Sequence, residues 1–115
     1  TAAKSPMPPC AGWRSRVHAR SASHKTVAAS RHMGRIKAMR CVCCYLLDRT
    51  QDSPTDVHHI REGRQERNDF LVLPLCHGDC HQGPSGVHGD KRWLRMLKKT
   101  EFDLLAVTLE IMESV

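Results

Sequence analysis

Apolar positions along this chain fall into segments of different period, and each period predicts a different element. Thr1 to Arg31 shows no sustained apolar period. Pro6, Pro8, Pro9 and Gly12 interrupt scattered Ser and Ala, which predicts an unstructured arm with at most a transient helix from Ala19 to Ala29. Met33 to Met39 predicts a short helix leading into Arg40-Cys41-Val42-Cys43-Cys44-Tyr45-Leu46-Leu47, and Asp48 to Thr55 is a polar loop broken by Pro54. Asp56 to Ile60 and Phe70 to Leu75 are brief apolar runs, too short for helices and bounded by turn formers. They predict two strands paired as an antiparallel hairpin across the charged connection Gly63 to Asn68, with Pro74 suited to an edge because it donates no ladder hydrogen bond.

Cys76 to Gly83 predicts a turn or helix start, followed by breaks at Gly83-Pro84-Ser85-Gly86 and Val87-His88-Gly89. Trp93, Leu94 and Leu97 have helical spacing within Asp90 to Lys98. Thr100-Glu101-Phe102-Asp103 reads as an N-cap with an acidic residue at the third position. Phe102, Leu105, Leu109 and Met112 then predict the buried stripe of a terminal packing helix. No internal repeat is present. The expected architecture is a small α+β domain over residues 32–115 behind a disordered basic arm over residues 1–31.

Length and cysteine content sharpen this picture. At 115 residues the chain supports one domain with a marginal core, and small cores are commonly reinforced by a metal or by disulfides. The first residues are polar and proline-rich without an apolar central segment, and no run approaches a membrane span. The expectation is a monomeric cytoplasmic protein without membrane association, whose paired cysteines serve as zinc ligands rather than disulfides.

The net charge of +6 conceals an asymmetry. Thr1 to Leu47 holds nine Lys or Arg and no Asp or Glu, whereas Asp48 onward holds nine basic and twelve acidic residues, a balance of −3. A basic arm of this kind favours a polyanion, because each neutralised phosphate releases a condensed counterion. Lys4, Arg14, Arg16, Arg20 and Lys25 are the candidate contacts to a DNA backbone, made without reading sequence.

Two constellations carry the chemistry. Cys41-x-x-Cys44 and Cys76-x3-Cys80 are paired cysteines whose short spacing puts two thiolates on one turn, as a tetrahedral structural Zn²⁺ requires. Cys43 could replace Cys41 or Cys44, and His77 could replace Cys80, while Cys10 fits no site. The second constellation is His58, His59, His81 and His88. Adjacent side chains on a strand point to opposite faces, so His58 and His59 have different roles: one can ligate a metal while the other faces solvent or substrate. A neutral imidazole is also a suitable general base, since its ordinary pKa lies near working pH.

Taken in order, these motifs resemble the HNH (His-Asn-His) endonucleases, whose ββα-metal core holds a catalytic ion. The resemblance is most specific to the Ref-type recombination-enhancement, RecA-dependent nucleases of bacteriophages. It rests on Arg31-His32-Met33-Gly34-Arg35-Ile36-Lys37, Cys41-x-x-Cys44, Val57-His58-His59-Ile60, Asp69 through Cys76, and His81 through Gly89. It implies a DNA endonuclease directed by RecA filaments, with DNA and the filament as partners. By carry-over, His58 and His81 bind Mg²⁺ or another divalent ion, His59 is the base that deprotonates water, and His88 is a further ligand. The motif's central asparagine has no exact counterpart: Asn68 and Asp69 lie eight and seven residues before Cys76, so which of them orients the base is open. The competing expectation is a non-catalytic zinc module that binds DNA or a recombinase.

Overall fold

The computed structural model describes residues 26–63 and 66–114. Helix α1 spans Val27–Lys37 and α2 Val42–Leu47; strands β1 (Thr55–His59) and β2 (Val72–Cys76) follow, then a π-helical turn His77–His81, α3 (Arg92–Leu97) and α4 (Glu101–Glu113). The fold is a small α+β domain whose sheet has two antiparallel strands. Lys4, Arg14, Arg16, Arg20 and Lys25 lie outside the described residues, as does most of the expected arm.

Helix α1 begins upstream of the expected helix start at Met33. Thr26 caps it, its hydroxyl accepting from the Ala29 amide at 2.9 Å, which satisfies a donor that the helix itself cannot. The hairpin register pairs Thr55 with Cys76, Val57 with Pro74, and His59 with Val72. That register splits β1 by period two. Asp56 and His58 face the π-turn and α4 side, while Thr55, Val57 and His59 face α1. All five residues of β2 are buried, because α1 covers one side of the hairpin while α2 and α4 pack from the other. This double cover explains the unbroken apolar run Val72-Leu73-Pro74-Leu75.

Helix α4 starts at a complete capping box. The Thr100 hydroxyl accepts from the Asp103 amide, and the Asp103 carboxylate accepts from the Thr100 amide. Its buried face corrects the expected stripe. Glu101, Leu104, Leu105 and Thr108 point inward, whereas Phe102 and Leu109 remain 41% and 44% exposed. The roll of the helix is set by Glu101, which must reach His58, and by Thr108, whose hydroxyl donates to the Leu104 carbonyl and so enters the core satisfied. No helix among the described residues is long and apolar enough to cross a membrane.

Candidate active site

Four cysteines meet inside the core. Cys41 sits at the N-cap of α2 and Cys44 within it; Cys76 ends β2 and Cys80 lies in the π-turn. All four are buried, with their sulfurs within 4.8 Å of one another. The Cys44 Sγ lies 3.8 Å from the sulfurs of both Cys76 and Cys80. A tetrahedron with metal–sulfur bonds of about 2.3 Å has edges of about 3.8 Å, so the set could hold a metal ion such as zinc. Each pair is further organised by an amide donating to the first sulfur, Cys44 N to Cys41 Sγ and Cys80 N to Cys76 Sγ, both at 3.4 Å. The extra residue between Cys76 and Cys80 is absorbed by the wider π-helical turn. Cys43 is buried beside this group but is not one of the four.

Electrostatics point the same way. Burial, then the neighbouring thiols Cys41 and Cys76, push Cys44 up to about 12. Cys41 is raised by its hydrogen bond to Cys80 and by burial. Four thiols cannot ionise side by side in an apolar core, and a divalent cation is the species that removes that penalty.

Three imidazoles converge a short distance away. The ring centroids of His58, His81 and His88 lie 5.0, 5.1 and 4.8 Å apart, with candidate ligand atoms within 4.8 Å. Two of these rings are held from behind by carboxylates. His58 Nε2 donates to Glu101 at 2.6 Å, and both groups are buried. His81 Nδ1 donates to Asp56 at 2.8 Å. The free nitrogens are then Nδ1 of His58 and Nε2 of His81. Such carboxylate–imidazole pairing is the usual second layer of a histidine metal site. Asp56 also accepts from His77 Nδ1 at 2.6 Å, and Asp56, His77 and His81 are themselves close enough to share an ion, although His77 is largely exposed.

The carboxylates are tuned by these contacts. Burial alone would raise Glu101, but the hydrogen bond and charge of His58, with Lys91 beyond it, hold its carboxyl below the usual range. Asp56 behaves alike: the His81 and His77 hydrogen bonds outweigh burial. His88 moves the other way, its pKa lowered by partial burial and by His58 and His81, which keeps its lone pair available near neutral pH.

His88 reaches the cluster on a tightly wound loop. The Val87 amide donates to the Cys80 carbonyl at 2.9 Å and the His88 amide to the His81 carbonyl at 3.2 Å. Gly86 is required there, since a Cβ would sit 2.5 Å from the Cys80 oxygen. Trp93 of α3 donates to Asp79 at 3.0 Å and lies under the Arg49 guanidinium, 4.4 Å from its ring centroid, fastening α3 to the π-turn.

His59 stands apart from the cluster, on the opposite face of β1. Its Nε2 is 2.9 Å from Asp69 Oδ1, leaving Nδ1 free. Asn68, by contrast, uses its side chain locally, accepting from the Phe70 amide at 2.8 Å. A cleft of about 390 Å³ opens beside His59, walled by α1 and by Arg67.

The structure thus brings together His58, His81 and His88, and separately Cys41, Cys44, Cys76 and Cys80, while placing His59 on its own with Asp69. Sequence reasoning missed Glu101 and Asp56. Asp56 carried a signal, two positions before His58 and therefore on the same strand face. Glu101 had none beyond its cap, because its role depends on a contact across 43 positions.

No curated protein and no solved structure matches the chain. The family described as recombination enhancement, RecA-dependent nuclease matches residues 25–113, which includes both cysteine pairs, all four site histidines and the carboxylates that hold His58, His59 and His81. The chain belongs to the family of recombination enhancement, RecA-dependent nucleases.

Proposed function

We propose that the protein is an HNH-type, metal-dependent DNA endonuclease whose cutting is directed by RecA filaments. The observation that carries this reading is the division of the dyad. His58 joins His81 and His88 with carboxylates fixing two of the rings, while His59 faces a cleft with one ring nitrogen held and the other free. His59 takes the proton of the attacking water at Nδ1. Asp69 holds Nε2, sets the tautomer and stabilises the imidazolium that forms. His58, His81 and His88 would hold a divalent ion, which would supply charge neutralisation at the scissile phosphate and at the leaving 3′ oxygen. Glu101 and Asp56 orient His58 and His81 and raise their basicity as ligands. Cys41, Cys44, Cys76 and Cys80 would hold a zinc that braces the π-turn carrying His81, and the basic arm would hold DNA.

Nicking of supercoiled plasmid tests the reading directly. Cleavage is expected with Mg²⁺ or Mn²⁺ and is expected to rise when RecA filaments are on the DNA. Binding without cleavage under every ion, with and without filaments, would instead identify a zinc-containing binding module.

Glu101→Gln offers a test of the second layer. Divalent-ion affinity at the histidine cluster, read by titration with Mn²⁺, should fall about 10- to 100-fold. Stability carries a matching signature. Glu101 has a lowered pKa in the folded state, so its contribution is present above the ordinary carboxylate range and is lost as pH falls through it, below about pH 4. The variant should melt below wild type at neutral pH, with the gap closing on acidification. A gap independent of pH would show that Glu101 does not act as the charged partner of His58.

A further inference from the structure

We infer that one sugar–phosphate strand enters through the cleft between α1 and β1, and that Gly34 keeps this entrance open. The inference rests on the nuclease reading and adds the path of the substrate. Ser30, Met33, Gly34 and Lys37, at helical spacing, present one face of α1 to the cleft, with His59 and Arg67 opposite. Gly34 lies inside a helix, where glycine is the poorest ordinary helix former. Nothing in the fold asks for it. A Cβ at Gly34 would meet no atom within 4 Å, and the backbone there has no positive φ. What glycine does provide is an empty notch in the wall of the cleft that His59 also lines.

The walls suit a phosphodiester. Among the residues that line the cleft, Lys37 and Arg67 are cationic and none is acidic. Lys37 bridges to β1, its Nζ donating to the Thr55 carbonyl at 2.8 Å, which fixes one cation at the mouth. Arg67 stands across from it, 61% exposed and 3.8 Å from the Asp69 carboxylate. Asp69 is itself occupied by His59 Nε2, so the cations remain the groups that meet an incoming phosphate. Met33 and Val57 supply an apolar floor for sugar and base.

The test uses the full chain, with Gly34→Ala, Gly34→Leu and the double variant Lys37→Gln/Arg67→Gln. Binding is read by anisotropy of labelled single-stranded and duplex oligonucleotides across a salt series, beside melting temperature and zinc content. Both Gly34 variants should melt at or above wild type and keep their zinc. Affinity and nicking should fall with side-chain size, by about tenfold for leucine, comparable to losing one base or phosphate contact. The double variant should flatten the single-strand salt slope by roughly 1.4, as expected for two lost phosphate contacts. The basic arm contributes equally to all variants and cancels from the comparison. The inference is overturned if Gly34→Leu binds and cuts as wild type does, or if affinity falls only in step with melting temperature and zinc. If wild type never nicks, the nuclease reading fails on its own, while the affinity series still decides the cleft.

Discussion

Replacing His59 by alanine is expected to lower plasmid nicking by about two to four orders of magnitude, the range usually carried by a positioned general base. DNA affinity, zinc content and melting temperature should stay close to wild type. The separation of effects follows from placement. His59 belongs neither to the cysteine cluster nor to the three converging imidazoles, and it borders a cleft rather than the core. Its removal therefore takes away the proton acceptor without opening an apolar cavity or unseating a ligand. Asp69 is left with Arg67 nearby as a counter-charge, so no carboxylate is stranded. If His59→Ala nicks at the wild-type rate, His59 is not the base. Loss of folding in that variant would likewise remove this assignment, since it would make His59 a structural residue.

The second large effect concerns the cysteines. Cys44→Ser should abolish tight zinc binding and, with it, cooperative unfolding. Cys44 is in contact with two of the other three sulfurs and sits where α2, β2 and the π-turn meet. Structural zinc contributes about 10–16 kcal/mol in small zinc domains. Domains of ordinary size have a net stability of only about 5–15 kcal/mol. Removing the ion should therefore leave little folded protein, and a strong chelator should act on wild type in the same way. Elemental analysis and thermal melts with and without chelator check this. Identical melts would mean that the four thiols pack as small apolar groups and that no ion supports the fold.

Much of the domain was readable from local pattern. The hairpin, the terminal helix with its Thr100 cap, and the pairing of Cys41 with Cys44 and Cys76 with Cys80 all follow from short-range signals that the structure matches. The start of α1 was read too late, because its first turn is rich in Ala and Ser and its signal is a single capping residue, Thr26. The roll of α4 was misread for a more instructive reason. Apolar content favoured a stripe through Phe102 and Leu109, but the buried hydrogen bond of Glu101 to His58 and a self-satisfied hydroxyl at Thr108 turned the other face inward.

The candidate site divides along the same line. By itself, the sequence determined which side chains were available and that neighbours on a strand must part: His58 and His59 had to face opposite ways, and paired cysteines had to share a turn. These are consequences of backbone geometry within a few residues. Only the tertiary structure decided which ring nitrogens are free. Glu101 takes Nε2 of His58, Asp56 takes Nδ1 of His81, and Asp69 rather than Asn68 takes Nε2 of His59. Those choices depend on packing between elements 10 to 43 positions apart. A hydrogen bond is directional and short, so it is settled only once the elements carrying its two ends have docked.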